Sequence, residues 1–342
     1  MLPTEETSSR ICENVTDAIG HTPLVYLNNV TKGVDAKVAA KLEYLNPALS
    51  VKDRPALYMI EEAEKAGEIK PGDVLIEGTS GNMGIGLAMA AAVKGYKLVL
   101  VMPDCYSVER RAICKALGAE LVIVDAAIGI DGVMKRLDDL HALIPNSYLV
   151  NQFANPNNPK SHYLSTGPEI WQQTQGKLDI AVFGAGTGGT VTGVGQYLKE
   201  RNKDVKVFVV EPYESSVISG EVAGCHHIQG IGAGVVPPNL QPVYDGVVRV
   251  KEKEAFEMAR RLAKEEGILC GISSGANVVA ALELAKKEEN KGKLIVTCLP
   301  SFGERYLSTD LYKNIKEECE RMPNTTFEED AEYFKKVFSL GS

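Results

Sequence analysis

The chain has no run of apolar residues near the roughly 20 that a membrane-spanning helix requires. It also lacks metal-ligand spacing. Its seven cysteines (Cys12, Cys105, Cys114, Cys225, Cys270, Cys298 and Cys319) are scattered with no C-x-x-C pair, and of its five histidines only His226 and His227 adjoin. An odd, dispersed set of thiols fits reduced cysteine in a cytoplasmic protein rather than a disulfide framework. Basic charge is in deficit: 37 Lys and Arg stand against 45 Asp and Glu, a net charge of −8, without the clustered cations of a nucleic-acid footprint. Residues 1 to 10 carry two glutamates and no apolar core, unlike a secretory signal or an Arg-rich transit peptide, and read as disordered. No internal repeat of short period is present. These absences leave a small polar ligand as the best fit.

What is present is an ordinary globular composition, 44% hydrophobic and 24% charged. At 342 residues the chain is long for one core, so two domains with a site in the cleft between them are expected. Strands are predicted at 36–42, 74–77, 98–102, 121–124, 180–183 and 205–210, alternating with helices after Lys52 and at 83–94, 108–117, 131–143 and 190–200. This alternation predicts an α/β fold of two domains with parallel-rich sheets, whose ligands bind at the carboxyl ends of strands. The Asn- and Pro-rich run 151–159 reads as a crossing between domains. Residues 220–246 read as an irregular loop, and the charged tail from Ile315 as a solvated helix.

Three stretches carry candidate chemistry. Asn46-Pro47-Ala48-Leu49-Ser50-Val51-Lys52-Asp53-Arg54 is a polar turn leading into a helix with Pro55 in its first turn, so Lys52 sits where a loop becomes a helix. Thr79-Ser80-Gly81-Asn82 follows a strand and opens a helix, a place suited to an anion. Gly186-Thr187-Gly188-Gly189-Thr190 also lies between strand and helix, where glycines let backbone N–H groups turn toward a phosphate. It lacks the Gly-Lys-Ser/Thr ending of an ATP-binding loop, and Thr190 stands where G-x-G-x-x-G wants its last glycine.

Together these stretches resemble the cysteine synthase (O-acetylserine sulfhydrylase) and β-cyanoalanine synthase family, in the β-family, fold type II, of pyridoxal phosphate enzymes. The resemblance runs from about Ile11 to about Leu311. It implies that Lys52 forms the Schiff base with pyridoxal phosphate, that Asn82 contacts the ring oxygen, and that Gly186, Thr187, Gly188, Gly189 and Thr190 hold the phosphate. Ser273 of Cys270-Gly271-Ile272-Ser273-Ser274-Gly275 would meet the ring nitrogen as a neutral partner, with Ser274 as the adjacent alternative. Thr79, Ser80, Asn82, Met83 and Gln152 would line the substrate's carboxylate. Residues 46–155 would then form a smaller, mobile domain carrying the substrate loop. Residues 11–45 and 156–314 would form a larger one carrying the glycine loop, with 315–342 as a tail. The implied reaction is β-replacement, giving L-cysteine and acetate from O-acetyl-L-serine and sulfide, with Lys52 moving the α-proton. A homodimer and a small-molecule substrate are implied, with no metal.

The chain departs from the commonest family pattern at Met83, where most cysteine synthases have threonine and the β-cyanoalanine synthase branch has methionine. Tyr106, within Pro103 to Arg111, also leans toward that branch; Phe183 matches neither, and Thr187 is the cysteine synthase choice. A thioether in place of a hydroxyl removes a hydrogen bond to a charged group, worth about 1.5 to 3 kcal/mol, and favours a weakly hydrated nucleophile such as cyanide. Met83 filling space is the alternative. Cystathionine β-synthase fits less well, since the length leaves no room for a haem-binding extension or regulatory module. A second class of function is a receptor that grips a partner's C-terminal peptide in the same cleft.

Overall fold

The computed structural model describes residues 11–79, 81–104 and 108–338. Ser80, Cys105 and Tyr106, named above, lie outside the described residues, as do the first ten residues. The chain divides into two compact units, one ending at Arg305 and the other beginning at Tyr306.

The first unit alternates strands and helices: β1 (Leu24–Tyr26), β2 (Lys37–Lys41), α1 (Asp53–Lys65), β3 (Val74–Gly78), α2 (Asn82–Lys94) and β4 (Lys97–Pro103). It continues with α3 (Val108–Ala116), β5 (Glu120–Val124), α4 (Gly129–Leu143), β6 (Ser147–Leu149), α5 (Asn157–Leu164), α6 (Thr166–Gln173) and β7 (Ile180–Gly184). Then come α7 (Gly189–Arg201), β8 (Lys206–Pro212), β9 (Gly246–Val250), α8 (Glu252–Glu266), α9 (Ile272–Ala285) and β10 (Leu294–Cys298). The strands make two sheets. The larger runs β1-β2-β10-β7-β8-β9 and is parallel except for the β1–β2 pair; the smaller runs β5-β4-β3-β6 and is parallel throughout. The α/β class with parallel-rich sheets is therefore as the sequence led us to expect. The second unit contains α10 (Lys313–Glu320) and α11 (Phe327–Val337), the latter started by a reciprocal cap between Thr326 and Glu329.

Local sequence explains these choices. Ile180 to Phe183 is buried at every position, as expected of a parallel strand covered on both faces. Met83 to Ala91 is buried all round, so α2 is a central helix, and it stops at Gly95 in the left-handed conformation (φ 79°). Its approach to α1 depends on Gly86, because a Cβ there would stand 3.1 Å from the Lys52 carbonyl oxygen and 3.2 Å from Ala56 Cβ. Residues 220–246 form no strand or helix until Gly246 begins β9. No helix among the described residues is long and apolar enough to cross a membrane.

A buried ion network ties α1 to β2 and α6. Arg54 donates twice to Glu43 (Nε and Nη2, both 2.8 Å) and twice to Glu169 (Nη1 2.6 Å, Nη2 2.8 Å), while Lys41 donates to Glu169 at 2.7 Å. All four side chains are at most 6% exposed. Burial alone would raise the Glu169 pKa, but Arg54 and Lys41 override it and hold it at about 2. Such a depressed carboxyl stabilises the fold fully above its ordinary value of 4.5, and that stabilisation is lost as pH falls through about 2. Truncating Arg54 leaves Glu43 without its cationic partner in the interior and Glu169 with Lys41 alone. Arg54→Met should therefore lower the unfolding free energy by about 3–5 kcal/mol in a denaturant titration; a loss below about 1 kcal/mol would show that the network carries little of the fold.

Candidate active site

The site is built on the carboxyl edge of the larger sheet. Lys41 ends β2 opposite Cys298, the end of β10. Beyond it the Leu299 N–H donates to the Lys41 carbonyl (2.8 Å), the Val51 N–H donates to the Pro300 carbonyl (2.8 Å), and Ser50 bridges to Ser301. The loop that starts α1 is thus sewn to the end of a central strand, and Lys52 is the N-cap residue. Lys52 is half-buried; loss of solvent lowers its amine pKa from 10.5 to about 8, against the raising influence of Glu77. Burial in turn raises the Cys298 pKa, so the thiol stays neutral beside the lysine.

Glu77, on β3, is buried and its carboxyl is pushed up to about 7 by desolvation. Gln152 answers it, donating from Nε2 to Oε1 at 3.0 Å and from its backbone N–H to Oε2 at 3.3 Å. Thr79 follows β3, its hydroxyl oxygen accepting the Gly81 N–H at 3.3 Å. Asn82 begins α2, and its Oδ1 accepts from Arg305 Nη1 at 2.6 Å. Met83 is only 2% exposed and belongs to the apolar cluster that includes Ala56, Met59, Leu87 and Leu100. Its thioether packs among aliphatic side chains.

The glycine loop joins β7 to α7. Gly188 has φ 80°, the left-handed region that favours glycine, and a Cβ there would meet the Leu240 backbone at 2.8 Å. A Cβ on Gly186 would stand 2.4 Å from the Gly230 carbonyl oxygen. Only glycine allows the 230 and 240 segments to close on this turn, which leaves the N–H groups of the first turn of α7 as anion donors. Two residues that sequence reasoning passed over complete the loop. Asn158 donates from Nδ2 to Thr187 Oγ1 (2.8 Å) and to the Gln152 carbonyl (2.8 Å). Because Thr187 accepts there, its own hydroxyl proton remains for an anion. His162 Nε2 lies 3.3 Å from Thr190 Oγ1, and burial lowers its pKa to about 3, so it stays neutral beside the loop.

Ser273 lies in the first turn of α9, buried, and Ser274 is fully buried beside it. The start of α9 is anchored to the same edge, since the Gly271 N–H donates to the Ser301 carbonyl at 3.0 Å and Asn277 Nδ2 to the Cys298 carbonyl at 2.8 Å. A Cβ on Gly230, the residue that closes on Gly186, would come within 3.6 Å of Ser273 Oγ. Lys52, the start of α2, the glycine loop and the start of α9 are thereby linked through contacts of single residues. Met83 lies inside the fold. Signals for the residues missed were weak: Asn158 sits in the Asn/Pro-rich run, while Glu77, His162 and Arg305 look like ordinary polar positions in an isolated sequence.

This set fits pyridoxal phosphate: a desolvated amine for the carbonyl carbon, a glycine-lined helix start for the phosphate, and a buried neutral hydroxyl for a ring nitrogen. Residues 15–301 match the family model described as pyridoxal-phosphate dependent enzyme. The chain is 55% identical over 326 residues to cysteine synthase 3 of Caenorhabditis elegans, covering 95% of this chain and 97% of that protein. It is 51% identical over 303 residues to a cysteine synthase of Staphylococcus aureus, covering 88% and 97%. The crystal structure of cysteine synthase from Entamoeba histolytica superposes with a TM-score of 0.86 at 44% identity, covering 93% of each chain. A family match across most of the first unit, relatives above half identity and a shared fold place this chain in the cysteine synthase family of pyridoxal phosphate dependent enzymes.

Proposed function

We propose that this chain is a cysteine synthase, forming L-cysteine and acetate from O-acetyl-L-serine and sulfide. The observation that carries the reading is a desolvated lysine, Lys52, on the same sheet edge as the glycine-lined start of α7. Lys52 would hold the cofactor through its amine, Gly186 to Thr190 its phosphate, Asn82 the ring oxygen and Ser273 the ring nitrogen. When bound, pyridoxal phosphate supplies a carbonyl that condenses with amines and a ring that withdraws electrons from the substrate's α-carbon. Ser273 is neutral and leaves that withdrawal moderate, which suits prompt loss of a β-leaving group.

Thr79, Ser80 and the N–H groups at the start of α2 grip the substrate carboxylate, with Gln152 beside them. The Lys52 amine would move the substrate's α-proton: Nζ would take it as the β-leaving group departs and would return a proton to the same carbon once the nucleophile stands at the β-carbon. Glu77 steadies the amine's charge as the proton passes. Cyanide also serves as nucleophile, giving L-3-cyanoalanine and hydrogen sulfide from cysteine. Residues 46–155 move as a lobe over the substrate, and the enzyme works as a cytoplasmic homodimer whose cleft also admits a partner's C-terminal carboxylate.

Initial rates of sulfide, cyanide and thiosulfate with O-acetylserine and with cysteine test the function. The pair of O-acetylserine and sulfide should give the highest kcat/KM, and Lys52→Ala should abolish turnover with every pair; failure to release acetate from O-acetylserine would refute the assignment. The lowered amine pKa makes a second prediction. Only the neutral amine attacks a carbonyl carbon, so cofactor uptake by the apo-protein should accelerate as pH rises through about 8 and level off above it. A rate still climbing toward pH 10.5, the ordinary lysine value, would put the Lys52 amine in water.

A further inference from the structure

Arg305 lies outside every stretch singled out in the sequence, yet it reaches two of them. It is 6% exposed; Nη1 donates to Asn82 Oδ1 at 2.6 Å, and Nη2 donates to the carbonyl oxygen of Ala48 in the loop that carries Lys52. Ala48 is gripped at both backbone groups, because its N–H donates to the Asp53 carboxylate at 2.5 Å. The loop before Lys52 and the first residue of α2 are thus held by one guanidinium.

A guanidinium has five donors and no acceptor, so the atom of Asn82 that faces it is the oxygen. The amide nitrogen must then face the opposite way. Turning the amide over would set N–H against N–H and lose the hydrogen bond between the two side chains. Among the described residues Nδ2 of the half-buried Asn82 has no protein acceptor, so the donor that this arrangement presents is available to a ligand. We propose that Arg305 is a positioning residue, which fixes the Asn82 amide with its donor toward the cofactor ring oxygen while anchoring the Lys52 loop through Ala48. The inference rests on the reading of Asn82 given above. It adds a reason why that side chain acts as a donor: without Arg305 the amide could turn either way, and half of its orientations would oppose an anionic oxygen with the amide oxygen.

The test combines the absorption spectrum of the holoenzyme with titration of apo-protein by pyridoxal phosphate, circular dichroism reporting the fold. Asn82→Ala should shift the balance between the visible and near-ultraviolet cofactor bands and weaken cofactor binding about tenfold. Arg305→Met should reproduce the band shift with Asn82 still present, and the double variant should shift no further. Arg305→Lys keeps a donor-only partner and should retain most of the wild-type spectrum. Arg305→Gln, which can donate or accept and is the milder change should Arg305→Met not fold, should give a mixture of the wild-type and Asn82→Ala bands. A wild-type spectrum in the Met or Gln variant, with Asn82→Ala shifted, overturns the role of Arg305. An unshifted Asn82→Ala instead removes Asn82 from the cofactor, and the underlying reading fails first.

Discussion

Keeping a lysine amine out of water at the edge of a parallel sheet is unfavourable, and much of the first unit's polar architecture answers that constraint. Desolvation brings the Lys52 amine to a pKa of about 8, where a modest change in surroundings moves its proton. Glu77 supplies the compensating charge, and its own carboxyl is raised to about 7 by the same burial. The backbone that carries Lys52 is fixed from both sides. Pro300 and Ser301 hold the residues before it, and Arg54, two residues after it, is locked between Glu43 and Glu169. Under the proposed function the amine attacks, releases and returns a proton within one pocket, and a rigid base for its flexible stem serves that role.

The same logic orients the neutral amides. Arg305 can only donate, so Asn82 offers its nitrogen elsewhere; Glu77 accepts from Gln152, so that amide's nitrogen is turned toward the acid. Around the glycine loop, Asn158 donates to Thr187, which leaves the threonine proton available, and burial keeps His162 neutral. Side chains one step removed from the site thus settle which atom of each polar group faces a ligand.

The class of fold and the three chemical stretches were legible in the sequence because each is a local signal. Buried parallel strands read as apolar runs, and Gly186 to Thr190 read as a strand-to-helix turn, where the structure places them. What the sequence concealed depends on tertiary contact. β10, near the end of the first unit, lies between β2 and β7, and this non-sequential order brings Ser273 and Cys298 to the edge where Lys52 stands. The partnership of Arg305 with Asn82 spans 223 residues, and no periodicity announces it. Met83 shows the converse: the letter suggests a drier pocket, and its position inside an apolar cluster assigns the side chain a packing environment that the letter does not reveal.

The central claim is that Lys52 is the amine that carries the cofactor. Borohydride reduction of the purified holoenzyme, followed by proteolysis and mass mapping, tests it most directly. The account predicts a pyridoxyl group on the peptide containing Lys52 and on no other lysine. Stoichiometric label on a different lysine, or cofactor that washes away after reduction, would contradict it.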